Sequence, residues 1–145
     1  MKQFLVAIAL LVAASSVVVG REPQSTQQSI APETTSAYAV LVLRKAAVEA
    51  DLAQLSELFT SDHPGIGSKR FELDALSLEM KKMLAVNQSR AAKLSSGVGN
   101  LILSKVALEV ELNGLSSRFT SQHPDIKKKT LELAALEREI ENILR

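Results

Sequence analysis

Two histidines, His63 and His123, are the only imidazoles in the chain, and there is no cysteine. Each sits in the same setting, Phe-Thr-Ser, one variable residue, then His-Pro, at 59–64 and again at 119–124. Imidazole suits proton transfer near neutrality and zinc binding. A metal site shared by the two settings would still need three or four ligands at set spacing. Nothing beside either histidine supplies the others, so neither a metal nor a cofactor is expected. The competing use is structural, with the ring capping a helix or packing beside proline at a bend. Lack of cysteine excludes disulfides, thiolate ligands, a cysteine nucleophile and a lipid-bearing cysteine. No G-x-S-x-G, H-E-x-x-H, phosphate-loop or EF-hand pattern occurs. Carboxylates such as Glu132, Glu137, Glu139 and Glu141 spread along a helical face, so no catalytic activity is expected.

Lys127, Lys128 and Lys129 place three positive charges near the start of a helical segment, where the macrodipole disfavours cations. Such a run could touch an anionic glycan or a lipid headgroup. The plainer use is a solvated set of lysines partly offset by Asp125.

The elements that carry these residues repeat. The segment 43–84 recurs as 103–144 at a constant offset of sixty, without a gap, and close to half of the aligned positions are identical. Apolar residues follow three–four spacing in both copies. One stripe runs Leu41, Val48, Leu52, Leu55, Phe59 and returns as Leu101, Leu108, Leu112, Leu115, Phe119. A second runs Ile66, Leu73, Leu76, Met80, Met83 and returns as Ile126, Leu133, Leu136, Ile140, Ile143. Proline bars the preceding residue from helical geometry, so His63 and His123 fall outside the helices. Pro64 and Pro124 then open the next ones, where the missing N–H costs nothing. The short break folds the two stripes together as an antiparallel hairpin. The spacing therefore predicts an all-α protein of two tandem, coiled-coil-like antiparallel hairpins, with four helices over about 36–61, 64–94, 100–121 and 124–145. Hairpin 1 occupies 37–94 and hairpin 2 occupies 101–145. Ser and Gly at 95–100 read as a linker loop, with Asn100 capping the third helix.

The turn and its flanks resemble the periplasmic coiled-coil segment of the polysaccharide co-polymerase, or chain-length determinant, family. The residues that carry the likeness are Phe59, Thr60, His63, Pro64, Ile66, Leu73 and Leu76, and again Phe119, Thr120, His123, Pro124, Ile126, Leu133 and Leu136. It covers each hairpin and implies a hairpin fold and an envelope location. Members of that family are much longer and carry a second membrane span after the coiled coil. Where they often have leucine three residues after the Val or Ile, this chain has Lys69 and Lys129. Chain-length control is therefore not implied.

The first twenty residues pair a short basic start with an apolar run, Phe4 to Val19, broken only by Ser15 and Ser16. They read as a secretion signal, with an uncleaved membrane anchor as the alternative. Residues 21–36, rich in Gln, Ser, Thr and Pro, read as a disordered tether. The 17 basic residues include Lys2, so loss of 1–20 leaves 16 against 16 acidic ones. A nucleic-acid partner, which calls for a strong basic excess, is not expected. Export makes the protein periplasmic or secreted, or inner-membrane-anchored if the leader is retained, and only in that last case does the membrane become a partner.

Lys45 and Lys105 fall at seam positions where an apolar residue is expected. A turn centred between residues 62 and 63 would set Lys45 across the hairpin from Glu79, and Lys105 from Glu139, as register-fixing pairs. A local pairing, Lys45 with Glu49 and Lys105 with Glu109, competes with this. The sequence therefore points to a non-catalytic, exported coiled-coil interaction or scaffold module. It would act by self-association or protein docking through apolar seams, in a setting the resemblance links to envelope polysaccharide assembly. A periplasmic chaperone that binds unfolded clients is the alternative.

Overall fold

A computed structural model describes residues 30–145; the signal or anchor reading of 1–20 and most of the tether reading of 21–36 lie outside the described residues. Thr35 starts the first helix. Its hydroxyl donates to the Pro32 carbonyl at 2.6 Å and accepts the Tyr38 N–H at 3.3 Å. One buried side chain thus closes the 3-10 turn Pro32–Thr34 and caps α1, Ser36–Leu58. Residues 32–35, read as tether from their composition, form the entry to the fold instead. Pro, Ser and Thr are common to disordered segments and to helix caps, and the buried Thr35 decides between them.

The second helix, α2, spans Pro64–Leu84, ten residues short of its expected end. The Ala85 N–H is shared between the Lys81 and Lys82 carbonyls, and Val86 N–H turns back to Met83. The Asn87 side chain then accepts the Arg90 N–H at 3.1 Å and opens a single-turn helix, α3, Gln88–Ala91. An asparagine side chain competes with helical backbone bonding in this way whenever the chain can restart behind it.

The expected linker at 95–100 is not a loop. Ser95 accepts the Val98 N–H on its hydroxyl at 3.4 Å and caps α4, Ser96–Ser116, so the cap is Ser95 rather than Asn100. Glycine lies in this helix for a packing reason. A Cβ on Gly99 would stand 3.0 Å from both the Cα and the carbonyl oxygen of Ala37, and 3.2 Å from Val40 Cβ. Backbone cannot yield as a side-chain tip can, so Gly99 is what lets α4 lie directly on α1. The Ala37 N–H donates to the Leu94 carbonyl at 3.2 Å beside this crossing. The last helix, α5, spans Pro124–Leu144.

The protein is all-α, with no strand among the described residues, and consists of two tandem antiparallel hairpins, α1–α2 and α4–α5. The packing between them is lopsided. Helix α4 lies against both α1 and α2, whereas α5 has α4 as its main neighbour. The core follows from this arrangement: Leu41 and Val48 from α1, Leu76 and Met83 from α2, and Ile102 and Val106 from α4 are all buried. By contrast, Ile126 is the only buried residue of α5. The core sits at the base of the first hairpin, away from the turn, where Phe59 remains 46% exposed.

Candidate functional site

The two turns are built by their histidines. His63 has extended geometry, with φ −64° and ψ 129°, and its Nδ1 accepts the Gly65 N–H at 3.1 Å. His123 does the same with the Asp125 N–H at 3.3 Å. An acceptor Nδ1 puts the proton of the neutral ring on Nε2. Each ring stacks on the preceding aromatic, with centroids 4.1 Å apart for Phe59–His63 and 4.2 Å for Phe119–His123. The N–H of each histidine donates to the carbonyl of Thr60 or Thr120 at 3.0 Å, closing the turn. Pro64 and Pro124 open the following helices, and Ile66 and Ile126 are buried just behind them. All ten residues of the turn motif thus act locally, and each histidine is a cap and a stacking partner.

The cross-hairpin ion pairs are not the ones expected. Lys69 Nζ meets Asp51 at 2.7 Å, and sixty residues on Lys129 pairs with Glu111. The midpoints of these pairs, residues 60 and 120, centre each fold-back on Thr60 and Thr120. Helix α1 stops at Leu58, so the chain reverses more than two residues earlier than the position of proline suggests. That moves the partner of position 45 from 79 or 80 to 75. Lys45 accordingly pairs with Glu49 on its own helix, and Glu139 is exposed with no ion pair among the described residues. The side chain that spans the first hairpin at this level is Arg44, whose Nε donates to Glu72 at 2.8 Å.

Lys105 and Glu79 do meet, but across the two hairpins rather than each within its own. Lys105 Nζ donates to Glu79 at 2.9 Å and to Glu109 at 2.6 Å, with Glu137 at 3.6 Å; Lys82 donates to Glu79 at 2.6 Å. The side chains of Lys105 and Glu79 are only 7% and 9% exposed. Burial pushes the Glu79 carboxyl up, but hydrogen bonds and charge from Lys105 and Lys82 outweigh it and hold the group below its usual range. Burial likewise works against the charge on Lys105, and its bonds to Glu109 and Glu79 outweigh that and raise it. Lys105 therefore stays an ammonium and Glu79 a carboxylate. Neither can serve as an amine nucleophile or a general acid near neutral pH.

This network forms one wall of a groove of about 430 Å³ where α2, α4 and α5 meet. Met83, Ile102, Ile140 and Leu144 give it an apolar floor, while Glu137, Glu141 and Lys82 stand at its sides. Elsewhere the lysine run is partly neutralised. Lys129 is held by Glu111, which raises its pKa chiefly through their hydrogen bond, and Lys128 lies 3.9 Å from Glu132. Lys127 is exposed, with no ion pair among the described residues.

The sequence reading passed over Gly99, Arg44 with Glu72, and the Lys69–Asp51 pair. The last was signalled, since a basic and an acidic residue recur together at 69 and 51 and at 129 and 111. No helix among the described residues is long and apolar enough to cross a membrane. Comparison of the chain with protein-family models, with curated proteins and with solved structures finds no match.

Proposed function

We propose that this chain is a non-catalytic, exported helical interaction module that docks on a protein partner in the cell envelope. The observation that carries the reading is the groove between the hairpins. Its apolar floor lies open, while the buried charges beside it are locked in their ionised forms by one another. Such a site offers shape, apolar area and an acidic edge to a partner, and no reactive group. The N-terminal leader supports the envelope location, periplasmic or secreted, or anchored if the leader is kept. The likeness of the turn to chain-length determinants supports a setting in polysaccharide assembly, with Lys127 to Lys129 as its contact for anionic glycan or lipid headgroups.

A photoreactive side chain at Glu141, on the groove, tests the reading in cells that produce the protein. A discrete adduct is expected from this position and not from Asn113, which is exposed on α4 away from the groove. No adduct, or the same products from both positions, refutes it. The exposure of Leu43 at 72% and Leu131 at 70% favours a second reading, a chaperone that holds unfolded clients on scattered apolar sites. Suppression of the aggregation of an unfolded test protein at near-stoichiometric ratio would favour it over docking.

A further inference from the structure

The first hairpin receives α4 on a surface that recurs in the second, where none of the described residues covers it. Ala37, Leu41, Leu76 and Glu79 are buried beneath or beside α4. Sixty residues later stand Gly97, Leu101, Leu136 and Glu139, of which Leu101 and Leu136 are half-buried and the other two exposed. The inserting surface shows the reverse. Gly99, Ile102, Lys105 and Val106 of α4 are buried, whereas Ala39, Val42, Lys45 and Ala46, sixty residues earlier on α1, are exposed apart from the half-buried Lys45. Both halves of one interface thus occur twice in the chain and are used once among the described residues.

Resting on the reading of the chain as an interaction module, we propose that the unused halves meet between two copies. Helix α1 of one copy docks on the α4–α5 hairpin of another as α4 docks on α1–α2. Lys45 then reaches Glu139, as Lys105 reaches Glu79. The apolar faces match, and the closest crossing changes in one respect: Ala39 takes the place of Gly99, so its Cβ meets the Gly97 backbone and α1 sits slightly farther out than α4 does. The charges complement each other as well, since Lys45 has only Glu49 and Glu139 has no ion pair among the described residues. Because the two surfaces differ, the contact is head-to-tail. It leaves a free surface at each end and propagates, as hairpin repeats propagate in solenoids, unless a ring closes.

Sedimentation of the purified full chain from low to high micromolar concentration tests the proposal. The mass is expected to rise in steps above the 15.7 kDa monomer. Lys45→Glu and Glu139→Lys should each weaken association by about tenfold or more through like-charge contact. An equimolar mixture of the two should recover it, because each variant then meets its opposite charge at every junction. Circular dichroism confirms that both variants fold. A monomer at every concentration overturns the proposal, as does association indifferent to both reversals, or single variants that do not rescue each other. A monomer that still forms the adduct from position 141 with a different protein overturns head-to-tail assembly while leaving the interaction module standing.

Discussion

Replacing Lys105 with methionine removes the ammonium that ties the two hairpins together while keeping an unbranched apolar stem. Its bonds to Glu79 and Glu109 are lost. Glu109 is 25% exposed and regains water, but Glu79 is 9% exposed and keeps only Lys82. A hydrogen bond to a charged group contributes about 1.5–3 kcal/mol, and breaking a buried pair costs about 3–5 kcal/mol. With Lys82 still in place the lower range applies, and Lys105→Met should cost about 2 kcal/mol in urea unfolding at pH 7. Glu79→Leu should cost about 1–2 kcal/mol, since Lys105 keeps Glu109. The double variant should cost less than the sum, with a coupling of about 1–2 kcal/mol. Lys45→Met, which breaks the exposed pair with Glu49, should stay within about 0.5 kcal/mol.

The pH dependence of that coupling has a fixed sign. The folded pKa of Glu79 lies below its ordinary 4.5, so the contribution is present above 4.5 and is lost as pH falls through the folded value. The folded pKa of Lys105 lies above 10.5, so the contribution is present below 10.5 and is lost as pH rises through the folded value. Between these limits the coupling is flat. If Lys105→Met proves no costlier than Lys45→Met, the pair is not desolvated and α4 does not lie on α2 as described.

Gly99→Leu should destabilise the fold by about 2 kcal/mol or more by forcing α4 off α1, whereas Gly97→Ala, with only Ser95 Oγ nearby at 3.6 Å, should be neutral or slightly stabilising; thermal unfolding separates them. Leu76→Ala, at a fully buried site, should cost about 2–4 kcal/mol, and Leu136→Ala, half-buried sixty residues later, clearly less in the monomer; equal costs in urea titrations would contradict the lopsided packing. His63→Ala removes both the cap on Gly65 and the stack on Phe59 and should cost about 1 kcal/mol, read from the denaturation midpoint.

Periodicity made the helices, the turns and their repetition legible, because apolar spacing and His-Pro act through neighbours within a few residues. The boundaries misjudged at the start of α4 and at the end of α1 have different causes. Gly97 and Gly99 carry the composition of a loop, and only the backbone of Ala37 explains why one of them lies in a helix. Pro64 marks where α2 begins, but the end of α1 at Leu58 sets the register, and that difference displaced the partner of Lys45. Lys105 was singled out as a polar residue in an apolar seam, and Glu79 as the expected partner of Lys45. Their meeting each other depends on how one hairpin sits on the other, which no local pattern encodes.

Helix α4 seals the core of a hairpin made before it, and this imposes an order during synthesis. When Leu84 has left the ribosome, α1 and α2 can close on each other, yet Leu41 and Leu76 lack the cover that α4 gives them. That cover arrives only after residues 85–116 have been added, about 2–6 seconds later at ordinary elongation rates. Over that interval the nascent chain displays a bare receiving face whose nearest match is α4 or α1 on another growing chain. Adjacent ribosomes on one message could therefore cross-link their products through swapped helices, and the brevity of the connection from Ala85 to Ser95 works against this by keeping the proper helix close at hand.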